Sequence, residues 1–440
     1  MGESTRPAGA VTTIADQPPA TPMARVAVSC LVGSAIEFYD FLIYGTAAAL
    51  VFPAVFFPNL TPGVAMIASM GTFATAFLSR PIGAAVFGYF GDRLGRKKTL
   101  IWTLVIMAVA TVSVGLVPST ASIGMAAPLI LMGLRLLQGF AVGGEWAGSA
   151  LLSAEYAPGG RRGRYGMFTL LGGGVAGVLS SLTFLGVNVT IGEYSPEFLQ
   201  WGWRIPFLIS SVLIALALYV RLNIDETPVF AEEKARDLVP KAPLAEVFRL
   251  QGREILLAAG SVLCTMAFCY MGNTYLTMYA HTHLGYTRGF IWSIGVLSGL
   301  VSIASVIISA VLSDRVGRRR LMLLGWATCV PWAFVVVPLI DTGNKALYAV
   351  AIVGTFAISG IGSGPVGAFI PELFATRYRY SGSALAINLA GVIGGALPPL
   401  IAGTLLATYG SWSIGAMLAA LALTSLVCTY LLPETRGTSL

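Results

Sequence analysis

Glu37 and Asp40 stand three residues apart in an otherwise apolar stretch, and Arg80, Arg135 and Glu145 are the other ionisable groups set deep in such stretches. A charge at the centre of a membrane helix costs about 2.5–3.5 kcal/mol on insertion scales, so each of the five is a candidate for function. A spacing of three puts Glu37 and Asp40 on one helical face. Two carboxylates that close in a low dielectric cannot both ionise cheaply unless a cation compensates. Either the pair carries protons, Asp40 foremost, or one of them only anchors its helix by hydrogen bonding. Arg135 is permanently charged, and its planar fork can hold a carboxylate through two parallel hydrogen bonds. Gln138, Val142 and Glu145 fall with it within about 80° at 100° per residue, which makes one face of that helix polar. The alternative is a fixed ion pair of Arg135 with Glu37 or Asp40. Glu145, about 15 Å further along, either relays protons or pairs with Arg80. Arg80 precedes Pro81, where a guanidinium can satisfy a carbonyl freed by a kink, so a structural role is expected for it.

Such groups need a membrane around them. Of the 440 residues, 56% are apolar and 11% charged, less than half the roughly 25% charge of a soluble domain. Twelve apolar segments recur, at about 26–52, 64–90, 99–117, 122–153, 165–188, 201–220, 254–280, 289–312, 321–340, 346–370, 381–407 and 412–432. Each can cross about 30 Å of hydrocarbon. The expected fold is an all-α integral membrane protein, with twelve transmembrane helices in two six-helix bundles. With both termini and the even-numbered loops taken as one side, that side holds 22 of the 27 Lys and Arg. Both termini of this multi-pass cell-membrane protein are therefore expected in the cytoplasm. The same distribution turns the basic charge into a statement about topology and away from a nucleic-acid partner. Residues 1–24 read as a disordered cytoplasmic tail, 25–220 as one bundle, 221–253 as a cytoplasmic linker, 254–432 as the second bundle and 433–440 as a tail. The five cysteines lack paired spacing, and His281 and His283 have no further ligand nearby. Neither a metal nor a cofactor is expected.

The halves repeat each other. Gly91-Asp-Arg-Leu-Gly-Arg-Lys-Lys recurs as Ser313-Asp-Arg-Val-Gly-Arg-Arg-Arg, 222 positions on. Glu155 with Arg164-Tyr165-Gly166 likewise corresponds to Glu372 with Arg379-Tyr380 and Gly382. Two motifs at nearly one offset indicate a duplicated six-helix unit. In each loop the acid (Asp92, Asp314) can cap a neighbouring helix while the arginines (Arg96, Arg318) pair with Glu155 or Glu372, and such contacts would close one side. The second half offers no comparably deep charge. It presents Tyr270, Asn273, Thr274 and Thr277 on one face of the seventh segment and Asn388 in the eleventh. With Tyr44 and Gln138, Tyr270, Asn273 and Asn388 are candidate substrate contacts, although polar residues also join helices to one another.

The two repeated Asp-Arg-x-Gly-Arg loops resemble the major facilitator superfamily. Within it the chain is similar to the metabolite:proton symporters, through Ile36-Glu-Phe-Tyr-Asp-Phe-Leu-Ile-Tyr-Gly45, Arg80-Pro-Ile-Gly83, Gln138-Gly-Phe-Ala-Val-Gly-Gly-Glu-Trp146, Trp201-Gly-Trp-Arg-Ile-Pro-Phe207 and Glu372 to Gly382. The run from Glu145 to Glu155 is closer to the shikimate-type branch. The resemblance implies a midplane cavity lined chiefly by helices 1, 4, 7 and 10, alternating access by rocking of the halves, and gate roles for Asp92, Arg96, Glu155, Asp314, Arg318, Glu372 and Arg379. It also ties Arg135 to proton transfer or an anionic substrate. The implied function is import of a small organic acid, shikimate-like or another carboxylate, by proton symport. A symporter of a zwitterionic osmolyte such as betaine or proline is the alternative, as is an exporter, which the absence of a proline motif in Gly-rich helix 5 disfavours. An integral membrane enzyme would need a nucleophile and base together in the membrane. A monomer in the bilayer is expected.

Overall fold

The computed structural model describes residues 23–94, 96–158, 160–192, 195–223, 244–375 and 378–437, without the side chains of 91–94, 96 and 244–246. The N-terminal tail up to residue 22, most of the linker (224–243), residues 438–440 and the side chains of Asp92 and Arg96 therefore lie outside the described residues.

A backbone in hydrocarbon has to satisfy its own N–H and C=O groups, so apolar runs of this length become helices. Twelve are long and apolar enough to cross a membrane: α1 Met23–Leu50, α2 Pro62–Phe90, α3 Lys97–Leu116, α4 Ala126–Tyr156, α5 Arg162–Ile191, α6 Gly202–Leu222, α7 Val247–Thr282, α8 Arg288–Val316, α9 Arg318–Asp341, α10 Lys345–Glu372, α11 Arg379–Tyr409 and α12 Trp412–Leu431. There is no strand among the described residues. One boundary differs from expectation in a way that matters: Arg221, read as the start of the linker, is a buried residue of α6.

The two bundles, α1–α6 and α7–α12, meet chiefly where α5 crosses α8 and where α2 meets α11. Without a hydrophobic drive between helices in lipid, close approach through small residues supplies the packing. At the α5–α8 crossing a Cβ on Gly299 would lie 2.7 Å from Val178 Cγ2 and 2.9 Å from its backbone nitrogen. Within the first bundle α2 and α4 approach just as closely, and a Cβ on Gly143 would stand 2.8 Å from the Gly83 carbonyl carbon.

Among the described residues four helices are interrupted, α4, α7, α10 and α11, with α10 broken at Gly364-Pro365. α4 breaks at Gly143-Gly144, and the freed carbonyls are taken by donors of the other bundle: Asn388 Nδ2 to Gly143 O at 2.8 Å and Tyr380 Oη to Gly144 O at 2.6 Å. α7 and α11 each contain a π turn, Met271–Tyr275 and Gly391–Ala396, a geometry that collects at functional sites. Away from the basic loops, α1 and the short turn that follows it meet α6 through edge-on aromatic contacts, with Phe52 5.4 Å from Trp203 and Tyr44 6.4 Å from Phe207.

Candidate functional site

A chamber lies between the bundles. Its polar wall consists of Thr265, Asn273, Ser298, Ser302, Ser359 and Ser363, its aromatic wall of Phe38, Trp146, Tyr270 and Phe356, and no charged residue among the described residues lines it. Helices α5 and α8 contribute to the wall beside α7 and α10, because Gly173, Gly174 and Gly177 leave the α5 backbone itself as a surface. A second, smaller chamber towards the other end shares Gly177 and Asn273 with the first. Of the expected substrate contacts, Tyr270 and Asn273 are therefore on the wall. Tyr44, Gln138, Arg135 and Asn388 are not among the lining residues of either chamber. The Asn388 amide donates to Gly143 O and Ala384 O and so holds α11 against the break in α4.

Behind the chamber, inside the first bundle, Arg135 and Asp40 are joined by a directed chain. Arg135 Nη1 donates to Gln138 Oε1 at 2.9 Å, Gln138 Nε2 to Thr111 Oγ1 at 2.6 Å, and Thr111 Oγ1 to Asp40 Oδ2 at 2.7 Å. Ser210 Oγ donates to the other oxygen of Asp40. A direct Arg135–acid ion pair, one of the two sequence readings, is replaced by this relay of neutral groups. Arg135 has no solvent exposure. Its guanidinium lies 3.8 Å from the Tyr44 ring centre, 4.5 Å from Phe41 and 5.5 Å from Phe73, and its Nε and Nη2 have no hydrogen-bond partner. Tyr44, whose hydroxyl donates to Thr72 at 2.9 Å, serves Arg135 with its face.

Glu145 and Arg80 are not paired with each other. Glu145 binds Arg221 through both carboxylate oxygens and accepts from Thr103 Oγ1 at 2.9 Å, while Arg221 Nη1 also donates to Leu100 O at 2.9 Å. Among the described residues the buried charges of the first bundle thus number six. Arg221 went unrecognised because it ends an apolar run and opens a charged one, although a buried glutamate without a cation was itself a signal. Arg80 does not bond a carbonyl beside Pro81; its guanidinium sits 4.1 Å from the Phe41 ring centre and 4.4 Å from Phe77. Glu37 is buried and its Oε2 has no hydrogen-bond partner. Thr111 and Ser210 carry no sequence signal at all, since hydroxyls in apolar helices are common.

At the basic-loop end the halves are closed by backbone capping. Asp314 accepts from Gly163 N at 2.9 Å and Arg164 N at 3.0 Å, the first turn of α5, where a carboxylate is favoured. Arg318 Nε lies 2.8 Å from Glu372 Oε2. Arg379 Nε donates to Pro371 O at 3.2 Å, and Glu155 is half-buried at the end of α4. Glu434 adds a second cap, accepting from Arg318 N at 2.9 Å and Arg319 N at 3.2 Å. At the opposite end Arg288 Nη2 donates to Leu50 O at 3.1 Å, and Trp292 stacks on Phe184 at 5.3 Å. Both ends of the chamber are thus crossed by contacts between bundles.

A family model described as Major Facilitator Superfamily matches residues 30–399. The chain is 39% identical over 421 residues to the inner membrane metabolite transport protein YhjE of Escherichia coli K12, covering 94% of this chain and 95% of that protein. It is 35% identical over 395 residues to the shikimate transporter of the same strain, covering 88% and 89%. With the proline/betaine transporter of that strain it shares 35% over 381 residues, covering 84% and 75%. Among solved structures, the proton:xylose symporter XylE bound to 6-bromo-6-deoxy-D-glucose superposes with a TM-score of 0.73 at 18% identity, over 95% of this chain and 97% of that one, a likeness of fold.

Proposed function

The chain belongs to the major facilitator superfamily as a multi-pass transporter, and from that premise we propose that it imports a small carboxylate metabolite together with protons. The observation that carries this reading is the relay from Arg135 through Gln138 and Thr111 to Asp40. Every donor in it points towards the carboxylate, an arrangement matched to an ionised Asp40. A proton on Asp40 adds a donor where the network already has one, so Thr111 or Ser210 must turn away. Turning Thr111 loosens Gln138, and loosening Gln138 releases the last bonded nitrogen of Arg135. Protonation thereby frees a buried guanidinium to bind a carboxylate, and loss of the proton draws the guanidinium back into the relay. Proton and anion enter the interior together without net charge, which suits a low-dielectric site.

The hydroxyl- and amide-bearing chamber suits the uncharged body of a hydroxy acid, with shikimate-like compounds as the first choice. Its aromatic faces are also compatible with an alkylammonium group, which favours betaine or proline as the second reading. The 22 basic residues on one side support cytoplasmic termini. Asp314, Arg318 and Glu372 are assigned to the cytoplasmic gate, together with Asp92, Arg96, Glu155 and Arg379. The test is uptake of labelled shikimate, proline and glycine betaine into proteoliposomes with and without an inward proton gradient. Gradient-driven accumulation of a carboxylate supports the reading, and uptake of every accepted solute that ignores the gradient removes it.

A further inference from the structure

Arg80 has an environment that a structural arginine does not need. It is 5% exposed, and among the described residues it forms no ion pair and its Nε has no hydrogen-bond partner. Its guanidinium shares the ring of Phe41 with that of Arg135, the two centres lying 4.1 and 4.5 Å from the ring centroid. Aromatic faces attract cations but do not replace the hydrogen bonds of a buried guanidinium, whose donors stay available to an anion. The surroundings reach across the bundle interface. In the α11 π turn, a Cβ on Gly391 would lie 3.4 Å from Arg80 Nη1, and one on Gly395 would lie 2.9 Å from both the Tyr270 and the Phe77 rings. The missing side chains of these two glycines leave the clearing in which Arg80 and Tyr270 stand. Tyr270 lines the chamber, is 1% exposed, and its hydroxyl stands beside Arg80, its foremost charged neighbour.

We propose that Arg80, assisted by the Tyr270 hydroxyl, is a second carboxylate-binding residue of the transport site, so that the anionic group of the ligand is held by two guanidiniums sharing Phe41 while its neutral body occupies the chamber. This deepens, and rests on, the carboxylate reading above. Tyr270, packed on Phe73 at 5.8 Å and on Phe77 at 5.2 Å, is the partition that the carboxylate passes. The site therefore discriminates carboxylates from neutral hydroxylated compounds of the same shape.

The experiment is ligand titration of the purified, detergent-solubilised full chain, followed by the fluorescence of Trp146 and the other tryptophans, with shikimate and its uncharged methyl ester as probes. Proline and glycine betaine serve as further carboxylates. Arg80→Gln is expected to weaken binding of the carboxylate probe roughly 10- to 100-fold and to leave methyl ester binding within about 3-fold. Arg80→Lys keeps the charge but loses the fork, and is expected to recover only part of the affinity. Tyr270→Phe should weaken the carboxylate a few-fold and the ester not at all. Thermal unfolding of each variant separates lost binding from lost folding. If Arg80→Gln fails to fold, the Arg80→Lys and Tyr270→Phe titrations decide, and carboxylate affinity unchanged in both overturns the proposal. Carboxylate binding unchanged in Arg80→Gln but lost in Arg135→Gln overturns the role of Arg80 and leaves the carboxylate reading standing. Equal loss of acid and ester shows a packing role and overturns it too. If no carboxylate binds the parent protein, or binding survives both substitutions, the carboxylate reading itself falls.

Discussion

The Glu145–Arg221 pair allows a sharp test, because its partners on three helices are known. Arg221 from α6 holds both oxygens of Glu145 in α4 and also donates to Leu100 O, and Thr103 of α3 donates to the same carboxylate. Both charged side chains are nearly unexposed, at 5% and 2%. Removing one partner from a buried pair leaves an uncompensated charge and costs about 3–5 kcal/mol, whereas replacing both with apolar groups of similar volume is often neutral or better. Glu145→Gln keeps the shape and the oxygen that accepts from Thr103, so nearly all of its effect is the stranded guanidinium. A destabilisation of at least about 3 kcal/mol, a factor of over 100 in the unfolding equilibrium, is expected. The assay is SDS-driven unfolding in mixed micelles, followed by circular dichroism and tryptophan fluorescence. The double variant Glu145→Leu/Arg221→Met should recover most of the loss. It should also accumulate substrate in proteoliposomes, because a carboxylate held by three donors is poorly placed to exchange protons. Unchanged stability in Glu145→Gln would refute the pairing argument, and a stable double variant that binds solute but cannot concentrate it would make Glu145 a proton carrier after all.

Three further predictions bear on coupling and gating. Asp40→Asn should abolish gradient-driven accumulation while preserving solute exchange across the membrane, measured by counterflow; accumulation at the parental level would remove Asp40 from coupling. Thr111→Val, which interrupts the relay without changing volume much, should leave the protein folded but destabilised by about 1–3 kcal/mol through the stranded Gln138 amide, and should flatten the pH dependence of uptake. Gly299→Val should overpack the α5–α8 crossing, where the first added carbon already meets Val178 at 2.7 Å. A cost of about 1–3 kcal/mol, with impaired uptake, is expected from unfolding and transport assays on the same preparation.

The features legible in the residues alone are those local to one segment. Hydrophobic length sets a span, because a bilayer leaves no alternative to intrahelical hydrogen bonds. The two Asp-Arg-x-Gly-Arg loops carry their spacing in plain view, and isolated acids and arginines in apolar runs stand out by cost alone. Partnership is a different matter, since it depends on how neighbouring helices are rotated and how deeply they are set. Thr111 and Thr424 are both hydroxyls in apolar helices, yet Thr424 bonds the Ala420 carbonyl of its own helix at 2.8 Å and Thr111 reaches Asp40 on another. Nothing in either local sequence distinguishes them. The same applies to Arg221, which found Glu145 76 positions away, and to Asn388, whose amide was drawn to a carbonyl exposed by a glycine break in the opposite bundle. Helix packing alone placed the charges behind an aromatic screen and left the chamber before it neutral.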